Sequence, residues 1–172
     1  MSLQLPHTLK GFSAFVDGAG YAGKCPSLKL PNLSRITEEY TSGGLDGPIS
    51  MDMGQDKLQL EDFTLSEPNP EILKTYGTLD INGVKMRFKG AYKAENEASE
   101  KPLEVTVQGR WTEIDMGSFE RGKPGEMKLK ADLTYYKLAY AGETLIEIDL
   151  LNSVQIIGGK DMLAARRAIL EI

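Results

Sequence analysis

Cysteine and histidine occur once each in this 172-residue chain, as Cys25 and His7. That scarcity removes whole classes of chemistry. One thiol makes no internal disulfide, so no covalent framework is expected, in keeping with a reducing compartment. A lone His within the first ten residues has no visible partner for a Ser-His-Asp or Cys-His arrangement, and one His with one Cys is not a zinc set. Cys25 is expected to pack as a small apolar residue. Long apolar runs are also missing: none approaches the roughly 20 residues that span a bilayer. The first twelve residues lack the basic start and apolar core of an export signal, so a soluble chain with no direct membrane insertion is expected. Positive charge is short too. Twenty Lys and Arg against 25 Asp and Glu leave a net charge of −5, contrary to a nucleic-acid binder, whose affinity rests on basic residues. A surface past which DNA has to slide is another matter, because mild like-charge repulsion prevents adhesion. There is no internal repeat and no low-complexity tract.

What is present is an ordinary globular composition, 41% hydrophobic and 26% charged, in a length that fits one domain, residues 1–172. Its periodicity is that of β-structure. Phe12, Ala14 and Val16 alternate on one face of Gly11–Asp17, and Gly18-Ala19-Gly20 turns the strand. Gly18, Gly20 and Gly23 have the spacing of a dinucleotide-binding loop. That motif needs a helix at its end, and here Pro26, Leu28 and Leu30 continue as strand, so a hairpin turn is expected and no cofactor. In Lys57–Ser66 the spacing slips by one residue between Leu60 and Phe63, which predicts a β-bulge. Asn69 as N-cap, Pro70 at the first helical position and the stripe Ile72, Leu73, Tyr76, ended by Gly77, predict a short helix plugging one side of the sheet.

Asn82-Gly83 is a tight-turn signal, and Val84, Met86, Phe88 and Tyr92 alternate with Lys85, Arg87 and Lys89. That basic row reads as a solvated or acid-paired face. After a charged linker, Glu95–Lys101, a long strand runs from Leu103 through Trp111 to Met116, with Gly109 marking a bend or a close backbone approach. Gly117–Gly125 is a polar loop. From Glu126, Met127, Leu129, Ala131, Leu133 and Tyr135 share a face; at Tyr135-Tyr136 the phase flips to Tyr136, Leu138 and Tyr140, as in a strand serving two packing environments. Glu143–Asn152 alternates again, Gly158-Gly159 breaks the meander, and Asp161 is placed to cap a terminal helix through Leu170. The fold class is mainly β: two near-orthogonally packed antiparallel sheets, a sandwich or partial barrel, with one or two short α-helices.

Paired carboxylates do not suggest catalysis. Glu38-Glu39 and Glu61-Asp62 are neighbours on strands and point to opposite faces, and Asp52 with Asp56 lacks the ligand density of a calcium loop. The aromatic residues Tyr21, Tyr40, Tyr92, Tyr135, Tyr136 and Trp111 have no interleaved basic patch for stacking bases. No enzyme, metal or cofactor is expected. One stretch stands apart. Leu33–Tyr40 reads as a strand, Thr41–Pro48 as a glycine-rich tip in which Gly43, Gly44 and Gly47 tolerate positive φ, and Ile49–Met53 as a returning strand. A tip of that length exceeds what closing a hairpin needs, so the stretch reads either as an adaptable arm or as a plain surface loop.

Leu30-Pro31-Asn32-Leu33, Glu39-Tyr40, Gly43-Gly44 and Met53-Gly54 begin a longer pattern. It continues as Gly109-Arg110, Glu113-Ile114-Asp115, Gly117, Tyr135-Tyr136-Lys137-Leu138, Gly142, Glu147-Ile148-Asp149 and Asn152, and ends with Gly159, Asp161, Leu163 and Arg167. Over nearly the whole chain this resembles the major tail tube proteins of contractile-tailed phages and R-type bacteriocins. Leu45 stands where that family often has methionine, and Gly158-Gly159 replaces a frequent Asn-Gly. The resemblance implies a self-assembling structural protein: hexameric rings stacked into the inner tube of a contractile tail, serving DNA passage or membrane puncture. It implies a tail sheath around the tube, a tape-measure protein inside it, baseplate proteins at its end and DNA as transient cargo. The location implied is the virion tail, assembled in the host bacterial cytoplasm. On this reading the arm touches the adjacent ring through Glu38, Glu39, Tyr40, Gly43, Gly44, Leu45 and Asp46, with Leu45 as anchor. Arg166 and Arg167 of the terminal helix then face another subunit or the sheath. The alternative from the residues alone is a monomeric β-sandwich that binds a ligand or carbohydrate between the loops at Gly43 and Gly117.

Overall fold

The computed structural model describes residues 3–172, which form twelve strands and two short helices. Strand β1 (Thr8–Val16) hairpins into β2 (Ala19–Gly20), and β3 (Ser27–Lys29) precedes a separate hairpin of β4 (Arg35–Tyr40) and β5 (Ile49–Gln55). Then come β6 (Gln59–Leu65), α1 (Pro70–Lys74) and the long β7 (Val84–Lys93), β8 (Lys101–Asp115) and β9 (Met127–Tyr140). β10 (Glu143–Asp149), β11 (Val154–Ile157), β12 (Lys160–Asp161) and α2 (Ala164–Leu170) complete the chain. The fold is mainly β with two antiparallel sheets, as expected, but the sheets are very unequal. One has ten strands, in the order β12-β11-β10-β9-β8-β7-β1-β2 with β6 and β3 branching from β9; the other is the β4-β5 hairpin alone.

The branch lies in β9. One edge of that strand pairs with β8 from Tyr140 to Lys128, while the other is shared: β6 takes Met127 to Asp132 and β10 takes Tyr135 to Tyr140. Between the two partners the ladder slips, because Gln108 and Gly109 of β8 face Tyr135 and Leu133 and leave Thr134 as the extra residue. A one-residue slip exchanges the faces of everything beyond it. Burial follows: Leu129, Ala131 and Leu133 are enclosed on one phase, and Thr134 and Tyr136 on the other. The flip therefore sits at Leu133-Thr134, slightly before the Tyr135-Tyr136 position suggested by side-chain type, since a buried threonine is invisible to an apolar count. Thr134 is held by the Asn82 side chain and the Gln108 carbonyl. Gly109 is required at the slip, because a Cβ there would stand 2.0 Å from the Asp132 carbonyl oxygen.

The core lies on one face of the large sheet. Phe63 is fully enclosed, edge-on to Phe88 at 5.7 Å and stacked with Trp111 at 6.4 Å between centroids. The bulge predicted between Leu60 and Phe63 is present and keeps Leu60, Phe63 and Leu65 all inward despite the slipped spacing. Helix α1 plugs this core as predicted: the Asn69 side chain accepts from the Ile72 amide at 3.1 Å, Pro70 opens the helix and Ile72 is buried. The Trp111 indole N–H donates to Thr75 Oγ1 at 2.9 Å just past its end. Tyr76 points outward instead of completing the stripe, because a helix of five residues ends before its ring can turn in.

One further expectation is met and another changes. Asn82-Gly83 forms a turn closed by Gly83 N–H to Asp80 O at 3.0 Å, but no strand precedes it, so it starts β7 without making a hairpin. Asp161 does not cap α2: the N-cap is Leu163, and the Asp161 carboxylate accepts from the Leu163 amide at 3.0 Å one step outside the helix. The Gly18–Gly20 region is a two-residue hairpin with Asp17 and Gly18 at positive φ, as its twist demands, and no helix follows. Cys25 is half-buried; its thiol donates to the Ser27 carbonyl, and burial pushes its pKa up to about 11, so it stays protonated and unreactive.

Candidate functional site

The arm is the part of the chain that the fold leaves without cover. In the β4-β5 register Tyr40 faces Ile49, Glu38 faces Met51 and Ile36 faces Gly54, so these side chains share one face. Thr37, Glu39, Ser50 and Asp52 share the other. The ladder slips between Ile36 and Thr37, which leaves Met53 as the bulged residue and puts Gly54 at φ +123. One face is thus apolar apart from Glu38, and the other is polar. Both are wet: Ile36, Tyr40, Ile49, Met51 and Met53 are each about half exposed, at 47, 49, 47, 48 and 54%. An isolated two-stranded hairpin is marginal in water, and one that also exposes an apolar face is a surface in want of a partner.

The root of the arm is fastened. Arg35 pairs with Asp52 across the hairpin through Nε at 2.8 Å and Nη2 at 2.7 Å, and its Nη1 donates to Gln155 of β11 at 3.1 Å. The Arg35 guanidinium, with the Gly54 amide, holds the Asp52 carboxyl below its ordinary range. Ser34, Gln55 and Asp56 close the base: Asp56 N–H donates to Ser34 O at 3.0 Å and the Gln55 amide to the same carbonyl at 2.9 Å. Asp52 is thereby committed to Arg35, and Asp56 to Ser34 and the Lys57 amide.

The sequence-derived contact residues fall into three groups. Tyr40 lies on the apolar face, Glu38 in the middle of it, and Glu39 on the polar face. Gly43, Gly44, Leu45 and Asp46 form the tip, turned by Leu45 N–H to Ser42 O at 3.0 Å, with Leu45 38% exposed. Gly43, Gly44 and Gly47 do not adopt positive φ and meet nothing that a Cβ would strike, so the turn is built without the glycine conformation expected of it. Arg166 and Arg167 separate. Arg166 is exposed, whereas Arg167 turns inward and clasps the C-terminus, donating to Asp161 at 2.5 Å and to the Ser153 carbonyl at 2.9 Å. Its hydrogen bond, joined by that of the Leu163 amide, holds the Asp161 carboxyl low. The residues missed from sequence are Ile36, Ile49, Met51 and Met53; the alternation of the last three was the available signal.

A second unsatisfied feature is the outer edge of β1. Strand β2 covers only Phe15 and Val16, so among the described residues Thr8–Ser13 has no strand on that side. A bulge at Lys10 kinks this edge, which limits indiscriminate pairing. At the opposite end the short β12, paired with β11, is the last strand of the sheet. The cavity beside Gly117–Gly125, of about 200 Å³, is lined by Ser118, Glu120, Lys123, Pro124 and Glu126, with no residue of the Gly43 loop among them. Among the described residues no cluster of three His, Cys, Asp or Glu has the geometry to hold a metal.

Comparison with known proteins supplies the context for these surfaces. The family model for phage tail tube protein FII matches residues 6–170. The chain is 32% identical over 167 residues to the tail tube protein of Escherichia phage P2, covering 96% of this chain and 97% of that one. It is 34% identical over 161 residues to the major tail tube protein of Serratia phage KSP20, covering 93% and 92%.

Proposed function

Because the chain belongs to the phage tail tube protein FII family, we propose that its copies close into hexameric rings and that the rings stack into the inner tube of a contractile tail. The protein is a structural component of the virion tail. Its task is mechanical: to hold a conduit open for DNA, or in a bacteriocin for membrane puncture, and no step of that task calls for catalysis. The sheath, a tape-measure protein and the baseplate are the heterologous partners of such a tube.

The observation that carries this reading is the arm, a hairpin rooted in the sheet by Arg35 whose apolar face has no cover in its own chain. Contacts of one surface with a different surface on an identical copy propagate: with a closing rotation they give a ring, along an axis they give a tube of open length. The free edge of β1 supplies the ring neighbour with backbone to pair, and closure of the ring uses it up. The arm reaches the next ring, with Leu45 at its tip and Glu38, Glu39 and Asp46 as polar contacts. Arg166, the exposed member of its pair, faces the sheath or a neighbouring subunit. A net charge of −5 suits a lumen that DNA crosses without sticking.

Deletion of Ser42–Gly47 tests the arm. The expected result is a folded subunit with an unchanged melting curve that forms no tubes in negative-stain micrographs; tubes of normal length overturn the assignment. Arg166→Glu tests the outer contact, with loss of sheathed assembly expected and unaltered sheathing counting against it.

A further inference from the structure

Another apolar surface of this chain is also uncovered. On the core face of the large sheet, short β3 lies over only part of β7 and β8, and beside it a groove of about 360 Å³ opens among Leu9, Phe12, Leu28, Leu30, Tyr92 and Leu103. Its floor is Phe88, Gly90 and Val105, a direct continuation of the buried core. Gly90 is what lets Leu9 lie across that floor, since a Cβ at 90 would come within 2.8 Å of the Leu9 side chain. Leu9 and Phe12 are 46 and 38% exposed. No residue of the arm lines this groove.

We propose that the groove of one copy receives the apolar face of another copy's arm, Ile36, Tyr40, Ile49 and Met51, making arm and groove two halves of a single contact; this rests on the reading of the arm as an assembly element. Two observations select a second copy as occupant. The first is that each surface is apolar, wet and unmatched within its own chain, and a heterologous contact between identical subunits needs two such different surfaces on each. The second is charge. The arm, residues 35–55, carries Glu38, Glu39, Asp46 and Asp52 against Arg35 alone, and the groove is edged by Lys29 and Lys89. Glu38 lies in the middle of the arm's apolar face, opposite Met51, where burial demands a cation. Lys29 now pairs with Glu61 at 2.5 Å and Lys89 with Glu104 at 3.4 Å; these are exposed pairs that exchange partners at little cost.

The test is a disulfide ladder. In a Cys25→Ser background, a chain carrying both Leu9→Cys and Met51→Cys is assembled, oxidised and run on a non-reducing gel, with each single-cysteine chain as control. Each copy then offers one arm and one groove, so the double variant gives a ladder of covalent multimers, whereas a single-cysteine chain gives dimers at most. Bridging requires the two Cα atoms to lie within roughly 7 Å, so a ladder reports contact and not mere proximity. Tubes without a ladder, or a disulfide closed inside one chain, overturn the groove as acceptor while leaving the arm's role in assembly intact. Leu9→Asp gives an independent readout, because Leu9 is exposed and its change spares the fold: loss of tubes with an unchanged melting curve is expected, and wild-type tube yield overturns the proposal. If the unmodified chain forms no tubes at all, the assembly reading fails and this one with it.

Discussion

Strand β9 and the arm strand β5 are written in much the same alternation, Met127-Leu129-Ala131 in one and Ile49-Met51-Met53 in the other, yet their surroundings are opposite. In β9 those residues are part of the core cluster, with Met127, Leu129 and Ala131 no more than 1% exposed. In β5 they stand about half in water. Alternation therefore specifies that a face needs cover, and says nothing about whether the cover is in the same chain. Where the partner strand, the plug helix and the aromatic stack are all intramolecular, the alternation makes a core. Where they are missing, it leaves an exposed apolar face. Body and arm should accordingly respond to mutation in opposite ways, one through stability and the other through assembly.

The largest stability effect belongs to the centre of the body. Phe63→Ala removes a fully enclosed ring in contact with Phe88 and Trp111, and a loss of about 3–5 kcal/mol is expected in urea or thermal denaturation. A loss below about 1 kcal/mol, the range of an ordinary point mutation, would erase the contrast by showing that the body too waits for partners. Next is Asn69→Ala, expected to cost about 1 kcal/mol. Its carboxamide oxygen accepts from the Ile72 amide and, at 3.4 Å, from the Tyr21 hydroxyl, so both the cap and the seating of α1 depend on it. A helix held by packing of Ile72 alone would lose much less.

Met51→Asp reverses the pattern. With Met51 exposed in the single chain, its stability should change by no more than about 0.5 kcal/mol, the usual range for a surface site. Tube formation should fail, because a carboxylate on the apolar face, beside Glu38, opposes desolvation. Light scattering together with a melting curve reads both quantities from one sample. A strongly destabilised Met51→Asp chain would place the arm inside the body's cooperative unit and break the comparison.

Much of the body was legible in the residue pattern because its signals are local. The slip between Leu60 and Phe63 forces a bulge wherever both must face inward, and Asn69-Pro70 starts a helix by its own hydrogen bonding and fixed φ. The exceptions have a common cause. The phase flip is carried by Thr134, whose burial depends on Asn82 and the Gln108 carbonyl, residues distant in the chain. Arg167 looked like a surface charge beside Arg166; its inward turn depends on Asp161 and Ser153 arriving from the preceding turn. At the arm, the glycines of the tip drew attention to the loop, while the uncovered apolar pattern lay in Ile49, Met51 and Met53. The groove had no signature at all, since it exists only because β3 is three residues long and leaves Leu9, Phe12 and Leu103 without a lid.

The smallest effect is expected where the two regions join. Arg35 links Asp52 of the arm to Gln155 of the body, so it sets the arm's direction more than anyone's stability. Asp52 is exposed, with about half of its side chain in water, and its pairing should alter global unfolding by an amount within experimental scatter. The sign of the pH dependence nonetheless follows. Because the Arg35 hydrogen bond, joined by the Gly54 amide, lowers the folded-state pKa of Asp52, the stabilisation is complete above the ordinary carboxylate pKa and is lost as pH falls through the depressed value. Arg35→Gln should therefore raise the Asp52 pKa toward its ordinary value in an NMR titration and speed amide exchange in β4 and β5 at neutral pH, with exchange in β8 and β9 unchanged. As pH falls through the Asp52 titration the two chains should converge in arm exchange. If Arg35→Gln instead speeds exchange through β8 and β9, the root is part of the core, and the arm is the outer end of one cooperative sheet instead of a separate element attached to it.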